Sequence, residues 1–294
     1  MRDFDSRVLD RAGAPIALRV EAAHRHALVA EVVDPMPGTS FFAREPGCRR
    51  VVLLHPARTL VPLGVRFDDE AAWEALEKAV GASLSLGTRR PAAASTIALE
   101  GPGVDLRVRP WTQSEALACA GRRLRQCAVV GDLWEVSDPI GRALDQRLST
   151  LAARIASGDL GAGHGLTRPL VGLGHGSTPS GDDMLTGALA VLWARDSARC
   201  VAARQAIARE IDGLTPDRTT RTSLDMLWNA ARGAFPAALC DVVQALGDGA
   251  VAAGAFDALV EALLRLGATS GRDLWRGVAA LAEAEVALGR GAAP

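Results

Sequence analysis

The chain has 294 residues and a formal net charge of −1, with 49% hydrophobic residues, 4% aromatics and no tyrosine. That length suits one large domain or two ordinary ones, and that hydrophobic share excludes a wholly disordered chain. A charge so close to zero excludes a broad electrostatic footprint for nucleic acid, and the sequence has no apolar run of the roughly 18 residues that a membrane span needs.

The opening residues, MRDFDSRVLD, read as a short helix or a frayed arm, with no basic region and apolar run to mark a signal peptide. From 17 to about 109 the text is strand-like. Residues 16–20, 28–33 and 51–54 are short β-prone runs, and 60–67 is interrupted by Pro62, which confines part of it to an edge or bend. The acids at 68–70 open a predicted helix that Gly81 closes. Residues 96–100 and 104–108 flank Gly101-Pro102-Gly103 and read as a hairpin. About six strands and one helix predict a β-rich domain, barrel- or sandwich-like, over residues 1–111.

The composition then turns helical. Thr112-x-x-Glu115 is a capping box that starts a helix through about Cys127, and Pro139 after Ser137-Asp138 starts another that ends near Gly158. Arg122, Arg123 and Arg125 read as a solvated helix face. After a long glycine-rich loop, helices are predicted over 180–193, 196–212, 219–232, 237–246, 252–266 and 270–288. The expected class is α+β: an N-terminal β-rich domain followed by a mostly α-helical bundle domain over residues 112–294. Met184, Leu185, Ala188, Leu189, Val191 and Leu192 cover nearly the whole circumference of the helix after Ser180, which marks it as the buried central one.

Five scattered cysteines, at 48, 119, 127, 200 and 240, with no CxxC among them, fit reduced thiols in a cytoplasm better than a disulfide frame. The chain holds no HxxxH or HExxH, so neither a metal nor a cofactor is expected.

The most informative stretch is Gly172 to Leu192, GLGHGSTPSGDDMLTGALAVL, a glycine- and hydroxyl-rich loop running into that apolar helix. Its centre, Ser180-Gly181-Asp182-Asp183, is echoed by Ser270-Gly271-Arg272-Asp273, and both copies read Ser-Gly-x-Asp-apolar-apolar-x-Gly. Each serine is placed to cap a helix, and each final aspartate stands at capping-box spacing. The free amides of such a start favour an anion. The loop is no P-loop, since it lacks GxxxxGK[ST], and GLGHG is no dinucleotide fingerprint. What remains is a cluster of hydroxyls and amides suited to carboxylate, phosphate or amide groups. The candidate substrate-binding residues are Gly176, Ser177, Thr178, Ser180, Gly181, Asp183, Thr269, Ser270, Gly271 and Asp273. Asp182 is the candidate proton acceptor or orienter, and His175 and His164 are loop histidines able to work near neutral pH. A third polar patch, Thr219, Thr220 and Ser223 in RTTRTS, caps the next helix or faces the same pocket.

These blocks carry a resemblance. HGSTPSGDDMLTG resembles the G-x-G-x-x-x-TPSGDD-x-x-x-G signature of the AllH-type family, which includes a subunit of oxamate carbamoyltransferase. TTRTSLDMLWNAARG and LGATSGRDLWRG look like that family's later blocks, in order. His175-Gly176-Ser177 departs from the family's usual loop, so His175 is a candidate from its residue type alone. The resemblance implies a cytoplasmic protein of ureide or purine catabolism. It also implies a small anionic substrate of the carbamoyl phosphate, oxamate or oxalurate type, and partner subunits of a carbamoyltransferase complex. The alternatives are a non-catalytic assembly module of such a complex and a stand-alone enzyme acting on another ureide or amide.

Overall fold

The computed structural model describes residues 3–5, 16–24, 27–33, 50–54, 58, 60–67, 70–77, 83–87, 96–98, 104–111, 115–127, 129, 139–161 and 165–291. His164, Cys48, the capping box at Thr112, the Ser137-Asp138 helix start and the 101–103 turn lie partly or wholly outside them. The chain divides into two compact units, Met1–Leu106 and Arg107–Pro294.

The first unit carries strands β1 (Asp3–Phe4), β2 (Ile16–His24), β3 (Ala27–Val32), β4 (Arg50–Leu54), β5 (Gly64–Arg66), β6 (Ser83–Gly87) and β7 (Thr96–Ala98), and helix α1 (Glu70–Glu77). The described strands form one sheet in the order β1-β5-β4-β3-β2-β6-β7. The pairs β4–β5 and β6–β7 are parallel and the others antiparallel. Alternation sets which face is buried: Leu28, Ala30 and Val32 of β3 point inward with Ile16, Leu18 and Val20 of β2. Phe67 and Trp73 meet edge-on with centroids 6.2 Å apart, which packs α1 beside the sheet.

Two expectations change here. The N-terminus makes a strand, not a helix, because Asp5 is buried and its Oδ2 accepts from the N–H of Leu63 at 2.7 Å. Leu63 has a positive φ of 56°, so that carboxylate anchors the bend beside Pro62. Among the described residues the two arms expected over 96–108 do not pair with each other: β7 pairs in parallel with β6, a strand that the sequence reading passes over, and Val104 makes an isolated bridge to Asp5.

The second unit is helical: α2 (Ala116–Gln126), α3 (Pro139–Ser157), α4 (Ser180–Ala194), α5 (Ala198–Asp212), α6 (Arg221–Ala231), α7 (Ala237–Gly247), α8 (Ala253–Leu264) and α9 (Ser270–Gly291). The α+β class is therefore as expected. Residues 181–192 of α4 are all buried, and the helix occupies the centre of the unit. Its closest neighbour is α9, and the two backbones cross through paired glycines. A Cβ on Gly187 would lie 2.0 Å from the carbonyl oxygen of Leu274, and one on Gly277 would lie 2.0 Å from that of Met184. Arg123 is not solvated: it is buried 5.0 Å from the centre of the Phe256 ring and donates to the carbonyl of Asp248 at 2.6 Å. Cys119, Cys127 and Cys200 are free thiols. Among the described residues no helix is long and apolar enough to cross a membrane.

Candidate functional site

The two Ser-Gly-x-Asp starts meet. The hydroxyls of Thr178 and Ser270 are 2.9 Å apart, which joins the loop before α4 to the first residue of α9. The approaches are built alike. The N–H of Gly181 bonds to Leu173 O and that of Gly271 to Leu266 O, both at 2.8 Å. A Cβ on Gly181 or Gly271 would strike a backbone carbonyl of the preceding segment, Leu170 or Leu263. Only glycine lets both helix starts sit this close to their approaches.

The capping reading does not hold for α4. Pro179 takes the N-cap position and no side chain caps the helix, because proline offers no acceptor there. Ser180 is already helical, which puts Asp183 one position past capping-box spacing. The backbone N–H of Asp183 bonds to Pro179 O at 3.2 Å, while among the described residues neither of its carboxyl oxygens has a hydrogen-bond partner of ordinary geometry. In α9 the N–H of Asp273 likewise bonds to Thr269 O, at 3.0 Å. The third patch does cap: Thr220 is the N-cap of α6 and accepts from the N–H of Ser223 at 3.1 Å. The Thr220 hydroxyl also bonds to the carbonyl of Ser177, and so holds the loop against α6.

The adjacent aspartates of α4 do different things. Asp182 is 0% exposed; its Oδ1 accepts from the N–H of Gly172 at 2.9 Å and its Oδ2 from the hydroxyl of Thr219. It ties the glycine loop and the entrance of α6 to the central helix. Burial pushes its carboxyl up, while the bonds from Thr219, Gly172 and Ser223 pull it down. Gly172, at a φ of 76°, is needed for this tie, since a Cβ there would lie 2.0 Å from Arg218 O. Asp183 is 1% exposed and lacks such bonds. Burial pushes its carboxyl up to about 7; the nearby Ser270 and Thr178 hydroxyls pull it down, and the charges of Asp273 and Asp182 push it up. Thr178 and Ser270 share one hydrogen bond, which uses the proton of one hydroxyl and leaves that of the other to face Asp183.

Asp273, 4% exposed, faces the opposite serine, Ser180. Burial raises its carboxyl, and Ser180 and the charge of Arg276 lower it. Its Oδ1 lies 3.4 Å from Nη1 of Arg276, which is buried and also paired with Asp145; among the described residues its Oδ2 has no hydrogen bond of ordinary geometry. The sequence reading passes over Arg276 and Asp145. The signal for Arg276 lies in the repeat itself, where SGRDLWRG has arginine at the place of threonine in SGDDMLTG.

The buried floor is thus Asp182, Asp183, Gly181, Ser223, Gly271 and Asp273, and Thr178, Ser180, Thr219, Thr220 and Ser270 are half-buried above it. His175, Gly176, Ser177 and Thr269 are exposed. Among the described residues no group of three or more His, Cys, Asp or Glu side chains could hold a metal ion. A separate cleft of about 160 Å³ is lined by Arg122, Gln126, Cys127, Phe256 and Asp257 and shares no residue with this floor. Burial pushes the Cys127 thiol there up to about 11, which leaves it a poor nucleophile.

No curated protein and no solved structure matches the chain. The model of the family described as oxamate carbamoyltransferase subunit AllH matches residues 170–282. That stretch takes in the glycine loop, α4, α6 and the start of α9, so the likeness to the AllH-type family read from the sequence is borne out over the part of the chain that holds every residue of the floor and rim.

Proposed function

We propose that this chain is a subunit of an oxamate carbamoyltransferase-like enzyme and that its paired helix starts hold the small substrate. The reaction moves a carbamoyl group between oxalurate and phosphate, giving oxamate and carbamoyl phosphate. The observation that carries the proposal is Asp183: a buried carboxyl whose oxygens have no hydrogen-bond partner of ordinary geometry among the described residues, set where two helix starts meet. A buried polar group left unpaired costs about 1–3 kcal/mol, and a ligand that pairs it recovers that cost on binding.

The hydroxyls of Thr178, Ser180 and Ser270 then bind the oxygens of the substrate. Asp182, with both oxygens taken, positions the loop and does not touch the ligand. Ser177, Gly176 and His175 form the outer rim, where the phosphate or the partner subunits approach. The free thiols and the family likeness fit work in the cytoplasm.

The test is reconstitution of the chain with its partner subunits and assay of carbamoyl phosphate formed from oxalurate and phosphate. Asp183→Ala should lower the rate by roughly 100-fold or more, the scale expected when a buried contact to the reacting molecule is lost. A complex that keeps full rate with Asp183→Ala, or without this chain, contradicts the proposal.

A further inference from the structure

Away from the entrance, the helical unit combines a cavity with a buried charge in the cleft of about 160 Å³ between α2 and the start of α8. Liquid water takes roughly 30 Å³ per molecule, so the cleft suits a ligand of only a few heavy atoms. One wall is the face of α2 that carries Arg122 and, one turn on, Gln126, both exposed. The other is the first turns of α8, with Ala253, Phe256 and Asp257.

Arg123 lines this cleft and is 8% exposed. Its Nε donates to the Cys119 sulfur at 3.3 Å, and its Nη2 donates to the carbonyls of Asp248 and Val251. All three acceptors are neutral. Among the described residues no carboxylate pairs with this guanidinium, and its Nη1 has no hydrogen bond. The Phe256 ring, with its centre 5.0 Å away, offsets part of the charge. A buried cation with no anion beside it is costly. Asp257 is the one carboxylate in the described lining, and it stands against the Cys127 thiol. Two arginines against one aspartate leave the lining with positive charge in excess. The start of α8 adds to that excess, since Ala252 at its N-cap gives no side-chain cap and its first turn holds no acid.

We infer that this cleft binds a small oxyanion, a phosphate or a carboxylate, through Nη1 of Arg123, the guanidinium of Arg122 and the amide of Gln126. The division of labour within Arg123 fits: Nη2 holds the turn before α8, and Nη1 is left for the ligand. The cleft shares no residue with the entrance, so the inference stands or falls apart from the reading of that site.

The test titrates inorganic phosphate and acetate into the full chain by calorimetry and follows its melting in their presence. At least one probe should bind with a dissociation constant of about 1 mM or below, within reach of a ligand of about five heavy atoms. Tighter phosphate assigns the site to a phosphate group, and equal or tighter acetate assigns it to a carboxylate. Arg122→Ser, at an exposed position, should weaken that binding about tenfold, as a charged hydrogen bond is lost. Ala253→Glu should weaken it at least as much while the melting temperature stays level or rises, because an acid suits the first turn of a helix. Saturating probe should raise the melting temperature of the native chain and not that of Ala253→Glu. These two variants carry the test, since Arg123→Met also removes the anchor of the turn. No binding of either probe, or binding that both variants leave unchanged, overturns the inference.

Discussion

Asp182 and Asp183 are neighbours on one helix, yet they should respond in opposite directions to the same change. Asp182 has a bond to each oxygen, so Asp182→Asn should lower stability by about 1–3 kcal/mol, read as a lower melting temperature. Asp183 is buried with its carboxyl pushed up from 3.8 to about 7. An acid raised in this way stabilises the fold below its unfolded value and loses that contribution as pH rises through its folded value. The groups that face it are Asp182 from α4, Asp273 from α9, and the hydroxyls of Thr178 and Ser270. The native chain should therefore lose stability between about pH 4 and pH 7. Asp183→Asn, neutral throughout, should match the native chain near pH 4 and exceed it by roughly 2–4 kcal/mol above pH 7. Melting curves of both proteins across that range decide it; parallel profiles contradict an uncompensated buried carboxyl.

At the scale of elements, the crossing of α4 and α9 brings the two entrances together, and glycine makes it. Gly187→Ala or Gly277→Ala would drive a methyl into a backbone carbonyl that cannot step aside, and each should cost more than about 3 kcal/mol and weaken oxamate binding as the entrances part. Gly254→Ala in α8 meets nothing within 4 Å and should be neutral or stabilising by up to about 1 kcal/mol, which makes it the control. Equal melting temperatures for Gly187→Ala and Gly254→Ala would contradict the crossing. Much of this element was legible beforehand. An apolar run on every face of α4 marks a buried helix, and the matched phrases at 180 and 270 mark two equivalent starts. The cap was not legible, because Ser-Gly-x-Asp fits a capping box in sequence and Pro179 takes the cap in space. Nor was the split between Asp182 and Asp183: their roles are set by Gly172, Thr219 and Arg276, which lie on other segments or a turn or more along the repeat. In the sheet unit, β6 was missed because SLSLG is short and half polar, and β1 because two residues carry no period.

For the whole molecule, the proposed site draws on one unit. The apolar core of the helical unit runs from Val108 to Val286, and the family match at 170–282 falls inside it. A fragment of residues 107–294 should keep its helical circular dichroism and its binding of oxamate within about threefold of the full chain. Loss of binding in a folded fragment would place part of the site on the sheet unit. The most direct measurement is a crystal structure of the assembled enzyme with oxamate. The account predicts oxamate within hydrogen-bond reach of Asp183 and of the hydroxyls of Thr178, Ser180 and Ser270. Oxamate seated elsewhere, with Asp183 still unpaired, would contradict it.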